Sequence, residues 1–279
     1  MISSVDMNAA TDNPDHGDTL RLLQITDPHL SAHIGRAMRG VDTYRSLQDV
    51  LNHTAGLGWQ PDAILATGDL VHDGSKRGYE HFRKLLGKFV AKSNAVVFTL
   101  PGNHDDPEPM RETLSDEPFQ YCGHADLAAW RLIFLDTWLA VDAGGLLRDS
   151  ELERLDDLLN AAGNKHVLVC LHHHPVDMGS RWLDSVGLRN AAQFLEIIDR
   201  YSNVRGVIWG HVHQEYDNIR NDVRYLSSPS TCAQFKPNND DFALDERPPG
   251  FRWLELAADG SINSGVEWMN APAAKEAAR

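Results

Sequence analysis

Long apolar runs are missing from this 279-residue chain, and none approaches the roughly 20 residues that cross a bilayer as a helix. No membrane partner is expected. Cysteine is scarce too: Cys122, Cys170 and Cys232 are the only three, far apart and in or near apolar runs. An odd, scattered set argues against a disulfide framework and for reduced, buried thiols. Basic charge is also short. With 26 Lys+Arg against 40 Asp+Glu the net charge is −14, which excludes a basic surface built for nucleic acid. An anionic substrate must then be drawn in by local positive charge, which bound cations supply. No repeat at solenoid spacing and no signal-peptide pattern are seen, so the expected compartment is the cytoplasm.

The remaining composition, 42% hydrophobic and 24% charged, is that of a globular chain able to bury a substantial core. Residues 1–19 and 270–279 carry no periodicity and are expected to be loose tails, with 20–269 forming one domain. Apolar β-type runs are expected as strands at Leu20–Ile25, Ala63–Ala66, Val96–Leu100, Trp130–Asp136, Val167–Leu171 and Val204–Trp209. Helices are expected around Leu47/Val50/Leu51/Thr54, around Phe82/Leu85/Leu86/Phe89, and from Asn190 to Arg200 with Phe194, Ile197 and Ile198 inward. Another is expected from Ser150, where Glu153 completes a capping-box pattern before Leu155 and Leu159. Tyr216–Leu226 and Phe251–Trp268 read as antiparallel pairs turning at Asn221-Asp222 and Asp259-Gly260, with a surface loop at Lys236–Gly250 between them. The fold class is therefore α/β, a sandwich of two mixed sheets flanked by helices.

Five short motifs stand where five of these strands run out: Asp27-Pro28-His29, Gly68-Asp69, Gly102-Asn103-His104-Asp105, His172-His173-His174-Pro175 and Gly210-His211-Val212-His213. In an open α/β fold such strand ends converge on one edge. Singly these motifs occur by chance, and Gly-Asn-His-Asp would suit a plain turn. Five in order, each after an apolar strand, point to a metal site. Seven N and O donors are too many for one cation and suit two that share a carboxylate. Asp69, alone at a strand end, is able to place one oxygen on each. Residues two apart in extended chain project to one side, so Asp27 with His29, and His211 with His213, are expected to point inward together. In the histidine run side chains should alternate, making His172 the ligand, His174 a supporting neighbour, and turning His173 away. Imidazole with carboxylate favours Fe, Mn or Zn over Ca. His16, His33, His53, His81, His124 and His166 lack any such context and are set aside.

These motifs, in this order, resemble the calcineurin-like metallophosphoesterase superfamily, over roughly Leu20 to Trp268. The resemblance implies an αββα sandwich with a binuclear centre at the strand C-terminal ends. Carried over by motif, Asp27, His29 and His213 would hold one metal, Asn103, His172 and His211 the other, and Asp69 would bridge them. His104 matches the residue that meets the scissile phosphate, and His29, Asp69, Asn103, His172 and His213 would line the substrate with it. The superfamily often has an Asp three residues after the bridging one, orienting that histidine; His72 stands there in this chain, and the Asp follows at Asp73.

Further runs, Leu171–Pro175, Trp182-Leu183-Asp184 with Leu188-Arg189-Asn190, and Pro229–Pro237, resemble the bacterial 3′,5′-cyclic AMP phosphodiesterases of class III. What this implies is hydrolysis of a small cyclic nucleotide, 3′,5′-cyclic AMP, to 5′-AMP by hydroxide shared between two divalent ions, Fe²⁺ or Mn²⁺ first and Zn²⁺ after them. Trp182, Arg189 and Phe235 are candidates to meet the purine, and loop packing explains them equally well. Two rival functions stand beside this one. One is the same chemistry on a 2′,3′-cyclic nucleotide or a glycerophosphodiester; the other is a non-catalytic binding module, which the complete ligand set disfavours. The sequence says nothing of oligomeric state.

Overall fold

The computed structural model describes residues 19–269, so His16 and, apart from Thr19, both expected tails lie outside the described residues. The chain opens with β1 (Leu20–Ile25), a small hairpin of β2 (Ala37–Met38) and β3 (Val41–Asp42), and α1 (Thr43–Gly56). Then come β4 (Ala63–Ala66), α2 (Lys76–Val90), β5 (Val96–Thr99), α3 (Pro107–Thr113) and β6 (Phe119–Tyr121). The middle runs β7 (Gly123–Leu127), β8 (Trp130–Phe134), α4 (Asp149–Asn160), β9 (His166–Cys170), α5 (Arg181–Asp184), α6 (Ala191–Asp199) and β10 (Val204–Trp209). The remaining strands are β11 (Tyr216–Arg220), β12 (Val223–Ser227), β13 (Gln234–Phe235), β14 (Leu244–Asp245), β15 (Gly250–Leu256) and β16 (Ile262–Trp268).

Two six-stranded sheets carry the fold, in the orders β16-β15-β1-β4-β5-β6 and β11-β12-β10-β9-β8-β7. In the first, β1, β4, β5 and β6 run parallel, and β15 and β16 join antiparallel. In the second, β8, β9, β10 and β12 run parallel, with β7 and β11 antiparallel at the edges. Alternation along each strand explains the layering. Leu22, Leu65 and Phe98 of one sheet meet Leu132, Phe134, Leu168 and Ile208 of the other in a central core, where the Phe98 and Phe134 rings stack at 4.7 Å. The intervening residues face outward. Leu23, Ile25, Ile64 and Val97 pack under α1 and α2 through Leu47, Val50, Phe82 and Leu86. Ile133, Val167, Val169 and Val207 pack under α4 and α6 through Leu155, Leu159, Phe194 and Ile198. Each such side chain contributes about 1.5–3 kcal/mol by leaving water. The αββα sandwich expected from the sequence is the observed fold.

Helix starts follow local chemistry in three cases: Asp42 accepts from Arg45 N–H, Ser75 from Gly78 N–H and Asp106 from Glu108 N–H. The Ser150–Glu153 capping box is not realised. α4 begins one residue earlier, at Asp149, so Ser150 is already inside the helix and Arg148 occupies the cap with no side-chain bond. The Lys236–Gly250 loop also differs from expectation, because Leu244–Asp245 pairs with Gln234–Phe235 as a short ribbon. All three cysteines are free thiols as expected, though Cys122 is only partly buried. No helix among the described residues is long and apolar enough to cross a membrane.

Candidate metal centre

The five motifs lie past the C-terminal ends of β1, β4 and β5 in one sheet and of β9 and β10 in the other. The structure thus gathers Asp27, His29, Asp69, Asn103, His104, His172, His211 and His213 in one place, where the C-terminal strand ends of the two sheets meet. The backbone gets them there by a different route from the expected one. Asp27, His29, Asp69, His211 and His213 all have φ between 47° and 68°, so neither His-bearing pair is extended. Left-handed conformations are uncommon for such residues and cluster where function over-determines the backbone. The chain turns sharply as it leaves each strand, and both members of each pair are aimed inward by that turn.

Close backbone approach makes this possible. A Cβ on Gly102 would lie 2.2 Å from Asp69 Oδ1, and one on Gly210 would lie 2.1 Å from Thr26 Oγ1. Asp105 ties two of the loops together. Its carboxylate accepts from the N–H groups of Leu70, Val71 and Gly102 and from the Tyr79 hydroxyl, at 2.9–3.1 Å. Burial and the neighbouring charge of Asp69 push Asp105 up to about 7, against the pull of its backbone donors. The Pro229–Pro237 segment clasps the remaining loops: Ser230 Oγ donates to Asp27 O at 2.7 Å, and Phe235 N–H to His213 O at 3.3 Å.

At the centre, imidazoles and carboxylates are oriented from behind. His172 Nδ1 donates to Thr67 O, and His213 Nδ1 donates to Ala233 O, both at 2.7 Å. Each ring is thereby turned so that Nε2 faces the centre. His172 Nε2 lies 3.3 Å from Asn103 Oδ1 and 3.5 Å from Asp69 Oδ1. His213 Nε2 lies 3.2 Å from both Asp27 Oδ1 and His29 Nε2. The other Asp69 oxygen, Oδ2, is 3.8 Å from His29 Nε2. Asp69 therefore stands between two donor groups and offers one oxygen to each. Its carboxyl is held well below the usual range, because His172 and its other histidine neighbours outweigh the cost of burial.

Two tests show that a cation fits here. Asp27 Oδ1 and His211 Nε2 are buried with no hydrogen-bond partner, a costly state for polar atoms unless an ion takes them up. Ligand atoms of Asp27, His29 and His213 lie within 4.8 Å of one another, as do those of Asp27, Asp69 and His172. All the donors are N or O, with no thiolate among them, which suits Fe, Mn or Zn.

His104 is exposed at the rim, its backbone N–H bonded to Asp69 Oδ1 at 2.8 Å. Of the two residues the sequence left open, His72 is the one beside His104, its ring stacked on it with centroids 4.5 Å apart and 25° between planes. Asp73 is turned elsewhere, accepting from Ser75 Oγ and Ala32 N–H beside Arg36. His173 corrects a further expectation: it does not turn away. The chain bends after β9, so alternation fails, and His173 is buried 4.7 Å from the His211 ring with its Nδ1 on Thr137 Oγ1. His174 stacks on His211 at 5.6 Å, the supporting place expected of it. Trp182 packs near the centre, against Phe235, whereas Arg189 is held by Asp142 on a separate loop. Only a fold reveals these neighbours; His72 alone had a signal, its place in the Gly-Asp motif.

An αββα sandwich with paired His/Asp donor groups across its two sheet edges is the architecture of a metal-dependent phosphoesterase. The chain belongs to the calcineurin-like phosphoesterase family, whose pattern matches residues 20–215. It is 38% identical over 261 residues to the 3′,5′-cyclic adenosine monophosphate phosphodiesterase CpdA of Pseudomonas aeruginosa, covering 93% of this chain and 94% of that one. To the protein of the same name in Escherichia coli K12 it is 39% identical over 248 residues, covering 88% and 89%. To a 3′,5′-cyclic-nucleotide phosphodiesterase of Nostoc it is 34% identical, covering 89% and 92%. Among solved structures, a dimetal phosphatase from Danio rerio superposes with a TM-score of 0.59 at 14% identity, covering 88% of this chain and 98% of that one. That likeness shows the fold.

Proposed function

We propose that residues 20–269 form one phosphodiesterase domain that hydrolyses 3′,5′-cyclic AMP to 5′-AMP with two divalent cations, Fe²⁺ or Mn²⁺ before Zn²⁺. The observation that carries this is Asp69, with one oxygen toward His172 and the other toward His29. In this reading Asp27, His29 and His213 hold one cation, Asn103, His172 and His211 hold the other, and Asp69 serves both. The similarity to cyclic AMP phosphodiesterases over nine-tenths of the chain supports the substrate. The free thiols support a reducing compartment, the cytoplasm.

The cations supply Lewis acidity, neutralising phosphate oxygens and making water a competent nucleophile at neutral pH. The chain does the rest. Two carboxylates among seven donors leave the loaded centre net positive, which attracts a phosphodiester into an otherwise acidic protein. Thr67 and Ala233 hold Nδ1 of His172 and His213, so both rings present Nε2 to the centre. His104, free to reach substrate at the rim and steadied by His72, donates a ring proton to the 3′-oxygen as its bond to phosphorus breaks. No covalent enzyme intermediate is required. The test is formation of 5′-AMP from cyclic AMP by purified protein, stopped by chelation and restored by Mn²⁺ or Fe²⁺.

A further inference from the structure

We propose that Phe242 is the platform on which the nucleobase of the cyclic nucleotide stacks, with Phe235 and Trp182 as its buttress. This rests on the function proposed above. Aromatic rings lead outward from the metal centre in contact with one another. Phe235 lies flat on His213, with centroids 4.0 Å apart and 8° between planes. Phe242 meets Phe235 at 5.3 Å and Trp182 at 5.2 Å, both edge to face, and Trp182 closes the triangle against Phe235 at 5.3 Å. Edge-to-face contacts on two sides hold the plane of the Phe242 ring.

The platform is tied to the ligand loops by backbone as well as by rings. Phe235 N–H donates to His213 O, Lys236 N–H to Ala243 O, and Trp182 N–H to Asp240 O. A surface held this rigidly loses little freedom when a ligand arrives. Phe242 is nonetheless 42% exposed, an unusual state for a large apolar ring already packed on two sides. The exposed Arg39 guanidinium also reaches it, 4.7 Å from the ring centroid. An exposed cation–π contact is weaker than base–aromatic stacking, so a purine displaces Arg39 from the ring.

Reach also agrees. The base of a cyclic nucleotide is joined to its phosphate through a single fused sugar, and Phe242 lies two ring steps from His213. Every base has a π face, so a stacking platform grips adenine and guanine alike. Its contribution is affinity for a nucleotide over a plain diester, with little choice between purines.

The test compares kcat/KM for cyclic AMP with kcat/KM for ribose 3′,5′-cyclic phosphate, which lacks the base, both followed by ³¹P NMR. In Phe242→Ala that ratio should fall about tenfold, carried by KM rather than kcat. Phe242→Trp should restore it, because a larger face stacks at least as well. Partial misfolding lowers both substrates together and leaves the ratio unmoved, so the ratio isolates the base. If wild-type protein cleaves cyclic AMP and the ratio in Phe242→Ala is unchanged, the platform is overturned and the activity stands. If loaded wild-type protein cleaves neither substrate, the proposed function falls and this inference with it.

Discussion

His29 Nε2 and His213 Nε2 face each other across 3.2 Å, with Asp27 Oδ1 also 3.2 Å from His213 Nε2. His213 has committed its other nitrogen to Ala233 O, which turns its Nε2 toward His29 and Asp27. Burial, the largest influence on it, lowers His29 to about 3, which keeps that ring neutral. Two imidazole nitrogens aimed at one point beside a carboxylate are arranged to receive a cation.

Removing the shared carboxylate should empty both positions. Asp69→Ala is expected to abolish activity and reduce bound metal at both sites, whereas His213→Ala mainly depletes one. Metal analysis of the purified variants reads this directly. Full occupancy in an inactive Asp69→Ala protein would show the bridge to be wrongly assigned.

Metal uptake should release a proton. Burial works against charge on His172, but Asp69 beside it prevails and raises the imidazole to about 9. Metal-free protein at pH 7 therefore carries His172 protonated, and a cation can take Nε2 only after that proton leaves. Affinity should rise as pH climbs toward about 9, and fall as pH drops. Calorimetry in buffers of different ionisation enthalpy measures the released proton. Uptake with no proton release at neutral pH would contradict the assignment.

His104→Ala should keep its metal and lose rate by about 10²–10⁴-fold, the usual range for a general acid. The loss should shrink on a nitrophenyl phosphodiester, whose leaving group needs no proton. An equal loss on good and poor leaving groups would leave His104 only an electrostatic role. His72→Ala should show the same leaving-group dependence in weaker form, because it acts through the ring it stacks on.

Tyr79→Phe tests the scaffold apart from the chemistry. The buried Tyr79 hydroxyl donates to Asp105, which is buried too, and accepts from Asp106 N–H nearer the surface. Its loss removes a bond to a buried carboxylate and should destabilise the fold by about 1.5–3 kcal/mol. Denaturant unfolding measures it, and a change below about 0.5 kcal/mol would mean that Asp105 is held well enough without it.

Much of this was legible beforehand because the chemistry follows the strands. Apolar runs such as Val204–Trp209 announce a buried strand, and Gly-His-x-His at its end announces a turn into a site. What stayed hidden depends on partners distant in sequence. Thr67 O orients His172 from 105 residues away, and no side-chain pattern reveals a carbonyl. The Ser150–Glu153 box failed because α4 starts one residue early. The i, i+2 argument gave the wrong reason for these side chains sharing one side, since those positions are tight turns. Phe242 escaped notice because it sits in a loop rich in Pro, Asn and Asp, where one aromatic carries no periodic signal.

The most direct test of the whole account is a titration of chelator-stripped protein with Mn²⁺, following conversion of cyclic AMP to 5′-AMP. The account predicts no turnover without metal and a rate that saturates at two equivalents per chain. It also predicts that glycerophosphodiesters and 2′,3′-cyclic nucleotides are cleaved far less efficiently under the same conditions. Saturation at one equivalent, or a fully loaded protein that prefers another diester to cyclic AMP, would contradict it.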